Sequence, residues 1–381
     1  MHTNHPGEMD PQRPMTVVHI LPRLDSGDLD QHTLEIATEL ARRKQRSIVI
    51  SAPGRLVPHL TGRGGEHIAW PLAAKPFFSY RWVIRLRRLL EREHVNVLHA
   101  GGLGPAWIAY RAWRGMDPRR RPRLVTTAHG FYPAKRYNRV VSYGERVIAV
   151  SEAVKQRLLE NFPDLAAENI HVIYRGVDER YFPHGYRPDI HWLQEWYRQY
   201  PQLIDRHIVT LAGALTAGKG HYEFMEALTR LRDRGIQAYG LIVGGEAPGA
   251  EKYAANLRRH VTNQHLDNII LTDHRPDIRN ILSVSNLVVS LPEQPPPFDR
   301  TVLEALQLGV PAVGYDHGGV GELLSAVFPE GRTPAQDMDH LVDKVAWVLQ
   351  HPPQIDECPQ YHLSHTLAQT IGLYRELCAT R

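Results

Sequence analysis

Several short polar stretches in this chain have residue types and spacings that could do chemistry. LAGALTAGKGH, Leu211 to His221, sets Gly213, Gly218 and Gly220 around Lys219, directly after an apolar run. Glycines let a backbone approach a ligand, a helix N-terminus favours anions and the ammonium adds a full positive charge, so the stretch suits a diphosphate. A glycine-rich connection with a solvated lysine is the structural alternative. Glu304 falls one turn into a predicted helix, where a carboxylate can accept both hydroxyls of a ribose or serve as a buried or capping acid. In VTTAHGFYPAKRY, His129 follows a predicted strand, and Lys135 and Arg136 could meet a phosphorylated or anionic acceptor. A lone histidine after a strand is usually structural. In LDSGDLDQ, Gly27 stands among Asp28 and Asp30; two carboxylates there repel any anion, or else they cap the helix that follows.

Apolar runs that read as buried strands precede these stretches: Met15 to Leu21, Ser47 to Ser51, Val95 to His99, Leu124 to Ala128 and Arg146 to Val150, then Ile208 to Leu211, Gly240 to Val243, Ile269 to Leu271, Leu287 to Ser290 and Ala312 to Tyr315. Helical patterns alternate with them, for example about His32 to Arg43 and Tyr222 to Arg230. That rhythm predicts an α/β fold with parallel doubly wound sheets, and ligands of such sheets bind beyond the carboxyl ends of the strands. At 381 residues the chain exceeds the size of one hydrophobic core, so two Rossmann-like domains are expected, with a boundary near Val172 to Phe182. From Ser290 to Leu324 the expected order is strand, proline loop at Pro295 to Pro297, helix from near Thr301 to the stop at Gly309, strand, and a glycine turn at Gly318-Gly319.

Composition excludes several classes. Hydrophobic residues at 43% and charged ones at 23% are ordinary for a globular protein. There is no 18-residue apolar run for a membrane span, and residues 1–14 read as a disordered lead rather than a signal peptide. Cys358 and Cys378 form neither a metal spacing nor a disulfide framework, which fits a reducing cytoplasm. The 22 histidines form no H-E-x-x-H or Cys/His cluster, so no metal is assigned. Arginines gather at Arg81, Arg85, Arg87 and Arg88 and again from Arg111 to Arg123; such clusters are solvated basic faces or attract a membrane surface or phosphorylated acceptor, and without an accompanying motif nucleic acid is not expected.

The stretch Ser290 to Leu324 resembles the donor-site signature of retaining GT-B glycosyltransferases, in particular glycosyltransferase family 4, where E-x-F-G-x-x-x-x-E-A-x-x-x-G-x-P follows a buried strand. Phe298, Glu304, Ala305, Gly309 and Pro311 match it. The R-G-V-D run from Arg175 to Asp178 resembles the family linker, His129-Gly130 matches its H-G pattern, and Lys219-Gly220 its K-G pair. The resemblance implies two Rossmann-like domains facing across a crevice: residues 15–178 on the acceptor side, 179–362 on the donor side, and a C-terminal helix over 363–381 crossing back. It implies a metal-independent enzyme without cofactor, taking a nucleoside diphosphate sugar as co-substrate and a cell-surface glycan, lipid-linked or lipopolysaccharide-type acceptor. The protein would be cytoplasmic, peripheral at the inner face of the membrane through its basic clusters. His129 would be the catalytic-side residue contacting the donor sugar; Gly27, Gly213, Lys219, Arg300, Glu304, Gly318 and Gly319 would bind the donor, with Glu322 after the glycine pair; Lys135 and Arg136 would face the acceptor.

Five positions depart from the family pattern: Asp28, Ala214, Asp273, Pro296 and Asp299. Two readings follow. Either donor recognition has changed in an active transferase, or the chain is an impaired member that serves as partner or scaffold of an active glycosyltransferase.

Overall fold

The computed structural model describes residues 14–25, 27–72 and 79–380; apart from Pro14, the lead expected over residues 1–14 lies outside them. The chain divides into two compact units, one running to Tyr174 and resuming at His365, the other Arg175–Ser364. No helix among the described residues is long and apolar enough to cross a membrane.

The first unit alternates strands β1 (Thr16–Arg23), β2 (Arg46–Ala52), β3 (Glu66–Ala69), β4 (Val97–Gly101), β5 (Arg123–Ala128), β6 (Arg146–Ala149) and β7 (Ile170–Val172) with helices α1 (Asp28–Arg42), α2 (Val57–Thr61), α3 (Ser79–Arg92), α4 (Leu103–Arg114) and α5 (Glu152–Asn161). Its seven-stranded sheet has the order β3-β2-β1-β4-β5-β6-β7, and every pairing is parallel. Strands buried on both faces read as continuous apolar runs, and β1 is buried from Thr16 to Leu21. On α3 the residues Trp82, Val83, Leu86, Leu89 and Leu90 recur at helical spacing and are all buried against Ile20, Ile50 and Leu98 of the sheet. Burying each such aliphatic side chain contributes about 1.5–3 kcal/mol, and the Trp82 ring stacks on Trp70 with centroids 5.1 Å apart.

The second unit carries helices α6 (Ile190–Gln199), α7 (His221–Asp233), α8 (Glu251–Asn263), α9 (Ile278–Ser283), α10 (Arg300–Gln307), α11 (Gly318–Val327) and α12 (Met338–Gln350), with strands β8 (His207–Ala212), β9 (Ala238–Val243), β10 (Ile269–Thr272), β11 (Leu287–Ser290), β12 (Ala312–Tyr315) and β13 (Arg332–Thr333). Its sheet order is β10-β9-β8-β11-β12-β13, again parallel throughout. In each sheet the strand order reverses once, beside β1 and β4 and beside β8 and β11, which marks the ligand-binding ends by the switch-point rule.

The linker-like Arg175–Asp178 is fixed within the second unit. Val177 donates its N–H to the Tyr361 carbonyl at 3.1 Å and accepts from Leu363 at 2.8 Å. Helix α13 (Leu363–Ala379) begins there, and from His365 it belongs to the first unit. Its Tyr374 is completely buried in that unit. Both cysteines, Cys358 and Cys378, are free buried thiols.

One expected element differs. Gly318 and Gly319 open helix α11 instead of forming a turn. Their small size is required by close packing: a Cβ on Gly318 would sit 2.4 Å from the Pro296 carbonyl oxygen, and one on Gly319 2.6 Å from the Phe298 Cα.

Candidate active site

In the second unit the residues singled out from sequence gather where β8 and β11 end. After β8 the chain passes through Gly213 and the exposed Ala214 to Gly218, Lys219 and Gly220, the last being the N-cap of α7 in the left-handed region at φ +78°. No other residue fits at Gly220, since a Cβ would lie 2.2 Å from the carbonyl oxygen of Leu291. That contact locks the α7 entry to the loop after β11. A second clasp is the Glu293 N–H, which donates to the Gly218 carbonyl at 3.0 Å. Lys219 is thereby presented, exposed, at the positive end of a 13-residue helix, a geometry that attracts phosphate groups.

His221 and Tyr253 complete this corner and were missed in the sequence, although His221 directly follows the glycine-lysine turn. The His221 ring is fully buried, its Nδ1 lies 3.1 Å from the Tyr253 hydroxyl, and burial, helped by the Lys219 charge, pushes its imidazole down to about 4. It is neutral at pH 7, so Lys219 keeps its positive field without a second cation behind it. Tyr253 is pushed up to about 12 by burial and then by Tyr222, Glu223 and Glu293.

In the proline loop Asp299, one of the five departures, is the N-cap of α10: Oδ1 accepts from the Val302 N–H at 3.0 Å and Oδ2 from the Ser290 hydroxyl at 2.6 Å. Two charge-assisted bonds hold that carboxylate in place. The Pro296 carbonyl accepts from the Gly319 N–H at 2.8 Å, which occupies one of the first amides of α11. Glu304, one turn into α10, is buried, and Arg300 Nε donates to its Oε1 at 2.8 Å. Asp273 is exposed and pairs with Arg258, which also binds Glu246.

In the first unit, the Asp30 carboxylate behaves as a helix cap, accepting from the N–H groups of Asp25 at 3.0 Å and Gly27 at 3.1 Å. Gly27 is the N-cap of α1, and Asp28 is exposed in its first turn, where the helix dipole favours an acid. The capping reading of this cluster is therefore what the structure displays.

His129 directly follows β5 and is half-buried. Its ring lies 6.4 Å from that of His32 on α1, near-perpendicular at 77°. Lys135 and Arg136 are both exposed on a loop tied down by Trp107 Nε1 donating to the Tyr137 carbonyl at 2.8 Å and by Asn161 Nδ2 donating to that of Tyr132 at 2.8 Å. Behind His129 lies a polar chain that the sequence did not reveal, because its members come from separate strands. Thr127 Oγ1 is 2.6 Å from His99 Nε2, His99 Nδ1 is 2.5 Å from the Tyr374 hydroxyl, and that hydroxyl is 3.3 Å from His19 Nε2. Burial drives His19 down to about 4 and, with the neighbouring histidines, His99 well below the usual histidine range; it raises the Tyr374 hydroxyl above its ordinary value. Among the described residues no group of three or more His, Cys, Asp or Glu is placed to hold a metal ion.

Comparison with known proteins assigns the chain. Residues 29–181 match the model for Glycosyltransferase Family 4, and residues 194–362 that for Glycosyl transferases group 1. The YtcC protein of Bacillus subtilis (strain 168) is 28% identical over 183 residues, 47% of this chain and 44% of that protein, so the match spans less than half of the relative. A glycosyltransferase structure from Rickettsia africae ESF-5 superposes with TM-score 0.84 at 24% identity, covering 96% of this chain and 98% of the other. Anabaena Alr3699/HepE, solved in complex with UDP and glucose, superposes at TM-score 0.74 and 18% identity over 96% and 99% of the two chains. The two doubly wound units and the two family models together place the chain in the GT-B glycosyltransferases, as a family 4-like member.

Proposed function

We propose that this protein transfers a sugar, with retention of anomeric configuration, from a nucleoside diphosphate sugar to a cell-surface glycan or lipopolysaccharide-type acceptor. The observation that carries the reading is Lys219, held between two left-handed glycines at the start of α7 and clasped to the loop after β11 at the strand-order reversal. There the diphosphate would meet the helix amides and the ammonium, which stabilise the charge that develops on the leaving group. Glu304, prealigned by Arg300, takes the ribose hydroxyls, and His129 takes the donor sugar. Lys135 and Arg136 meet the anionic acceptor. No metal is needed in this scheme, because the leaving diphosphate is stabilised by protein groups.

The reading as a noncatalytic partner is not favoured. His129, Lys219 and Glu304 are present, and the Asp299 carboxylate serves helix capping rather than obstructing a ligand. A lipid-linked acceptor also fits the outer face of α3. Tyr80 and Ile84 are 71% and 39% exposed among Arg81, Arg85 and Arg88, and two of these arginines lie over the Trp82 and Trp70 rings. A basic face with protruding apolar groups suits the anionic inner leaflet.

The test is calorimetric titration with UDP, GDP and ADP and their glucose conjugates. Binding of at least one is expected, and Lys219→Ala should weaken it by roughly 1.5–3 kcal/mol, the worth of a hydrogen bond to a charged group. A wild-type protein that binds none of them at millimolar concentration overturns the reading.

A further inference from the structure

Two aromatic rings in the first unit form an open platform that the donor scheme leaves unused. Trp107, on α4, is held by three contacts: its ring packs edge to face on Tyr110 and Tyr143 with centroids 6.2 and 5.9 Å away, and its Nε1 donates to the Tyr137 carbonyl at 2.8 Å. The Tyr137 ring stacks on this indole, centroids 6.3 Å apart and planes 30° from parallel, yet the residue is 49% exposed. A Cβ on Gly104 would lie 3.9 Å from the Tyr137 hydroxyl, which places that hydroxyl over the first turn of α4. The loop carrying Tyr137 is closed on itself, since Asn138 donates its N–H to the Lys135 carbonyl at 2.9 Å and its Nδ2 to that of Pro133 at 3.0 Å. A single exposed apolar residue is ordinary on a protein surface. Here an exposed ring lies on a second, fixed ring with cations around it: the Arg111 guanidinium is 5.4 Å from the Trp107 centroid, and the exposed Lys135 and Arg136 directly precede Tyr137. None of these three cations is in an ion pair among the described residues.

The place of the platform in the sheet marks it as a ligand surface. Helix α4 follows β4, one of the two strands at the order reversal, and the loop bearing Tyr137 follows β5 beside it. Both segments therefore start from the carboxyl ends of strands, where ligands of such sheets bind. A narrow pocket lined by Gly102, Leu103, Thr127 and Tyr132 lies between the same two segments. The C–H face of a pyranose is apolar while its rim carries hydroxyls, so a sugar ring packs flat on an aromatic ring and keeps its polar groups outward. A phosphate on that sugar brings negative charge that three cations complement, whereas a neutral sugar leaves them unanswered. We propose that the Trp107–Tyr137 platform binds a phosphorylated pyranose: Tyr137 stacks on the sugar ring, and Lys135, Arg136 and Arg111 meet the phosphate. The inference rests on the proposed function in making this sugar part of the acceptor, and it narrows that acceptor from an anionic glycan to one that presents a sugar phosphate.

The experiment is saturation-transfer NMR on the full chain without nucleotide. The probes are glucose, mannose and N-acetylglucosamine phosphorylated at the primary hydroxyl, with unmodified glucose as control and inorganic phosphate as competitor. At least one sugar phosphate should bind wild type more tightly than glucose, with saturation reaching the protons of one ring face, and inorganic phosphate should displace it only in large excess. Tyr137→Ala should weaken that binding by about fivefold, within the worth of one aromatic contact, and Tyr137→Phe, which keeps the ring, should retain it. Lys135→Gln combined with Arg136→Gln should remove the preference over glucose. Should Tyr137→Ala fail to fold, the glutamine pair decides alone. Binding of none of the sugar phosphates, equal affinity for glucose, or undiminished binding in folded Tyr137→Ala overturns the proposal. Because the signal is read without a nucleotide, a failure of nucleoside diphosphate binding would remove the donor reading and leave this result standing.

Discussion

Acid should loosen the first unit through His19, and the size of the effect follows from its burial. His19 is 3% exposed on the interior strand β1, with Nε2 on the Tyr374 hydroxyl. In the unfolded chain it takes a proton near 6.5; in the folded protein burial delays this until about 4. The unfolded state therefore binds more protons across that window, so stability is fully present above 6.5 and falls as pH drops towards 4. At roughly 1.4 kcal/mol per pH unit, the loss is about 3 kcal/mol from this one ring. His99 shifts in the same direction and adds to the loss. The assay is urea unfolding followed by fluorescence and far-UV dichroism across that pH range, comparing wild type with His19→Gln. Glutamine keeps an amide nitrogen where Nε2 meets Tyr374 but cannot titrate, and carboxylates that titrate in the same range are common to both proteins. The wild-type curve should fall more steeply, and the difference between the two proteins should close by about 3 kcal/mol between the two ends of the window. Parallel curves would refute the reasoning and mean that His19 is reached by water or by a counter-charge.

Two further outcomes can be checked directly. Asp299→Ala removes the α10 cap and the Ser290 contact together, so it should lower unfolding free energy by about 0.5–2 kcal/mol in chemical denaturation; an unchanged midpoint would return Asp299 to a ligand-facing role. Replacing Arg81, Arg85 and Arg88 together by glutamine should cut sedimentation with vesicles containing anionic lipid, and raised salt should do the same to wild type; equal binding to purely zwitterionic vesicles would sink the basic-face reading.

Much of the fold was legible because buried parallel strands announce themselves as continuous apolar runs. β11 and β12 coincide with the runs Leu287 to Ser290 and Ala312 to Tyr315. The strands that escaped notice are short or marginal. β3 is EHIA, half-exposed at a sheet edge, and β13 is only Arg332–Thr333; neither carries a periodic signal against which to read it. The Gly318-Gly319 doublet looks like a turn on composition alone, since the backbone that crowds it comes from Pro296 and Phe298, far back along the chain in a loop with no regular pattern.

Asp299 illustrates how a departure from a family signature should be weighed. Read as a letter, aspartate in place of glycine adds a negative charge near a diphosphate. Read as an atom, its carboxylate is held by the Val302 amide and the Ser290 hydroxyl, bonds that spread its charge towards the positive end of α10. The same logic applies to Asp30, which closes the loop before α1 through two backbone amides, and to Asp273, which answers Arg258. Asp299 and Asp273, two of the three acids among the five departures, thus accept hydrogen bonds from protein donors, so the charge count overstates the repulsion a donor would meet. Pro296 has no such role, since its ring supplies no side-chain donor or acceptor and its carbonyl is bonded to Gly319. On the proposed function the consequence for donor choice is specific: position 296 offers the sugar no polar side chain, which leaves His129 to contact it, while Lys219 meets the diphosphate. Discrimination should then lie more in the nucleoside diphosphate than in the hexose, so nucleoside diphosphates should compete almost as well as their sugar conjugates in the calorimetric titration.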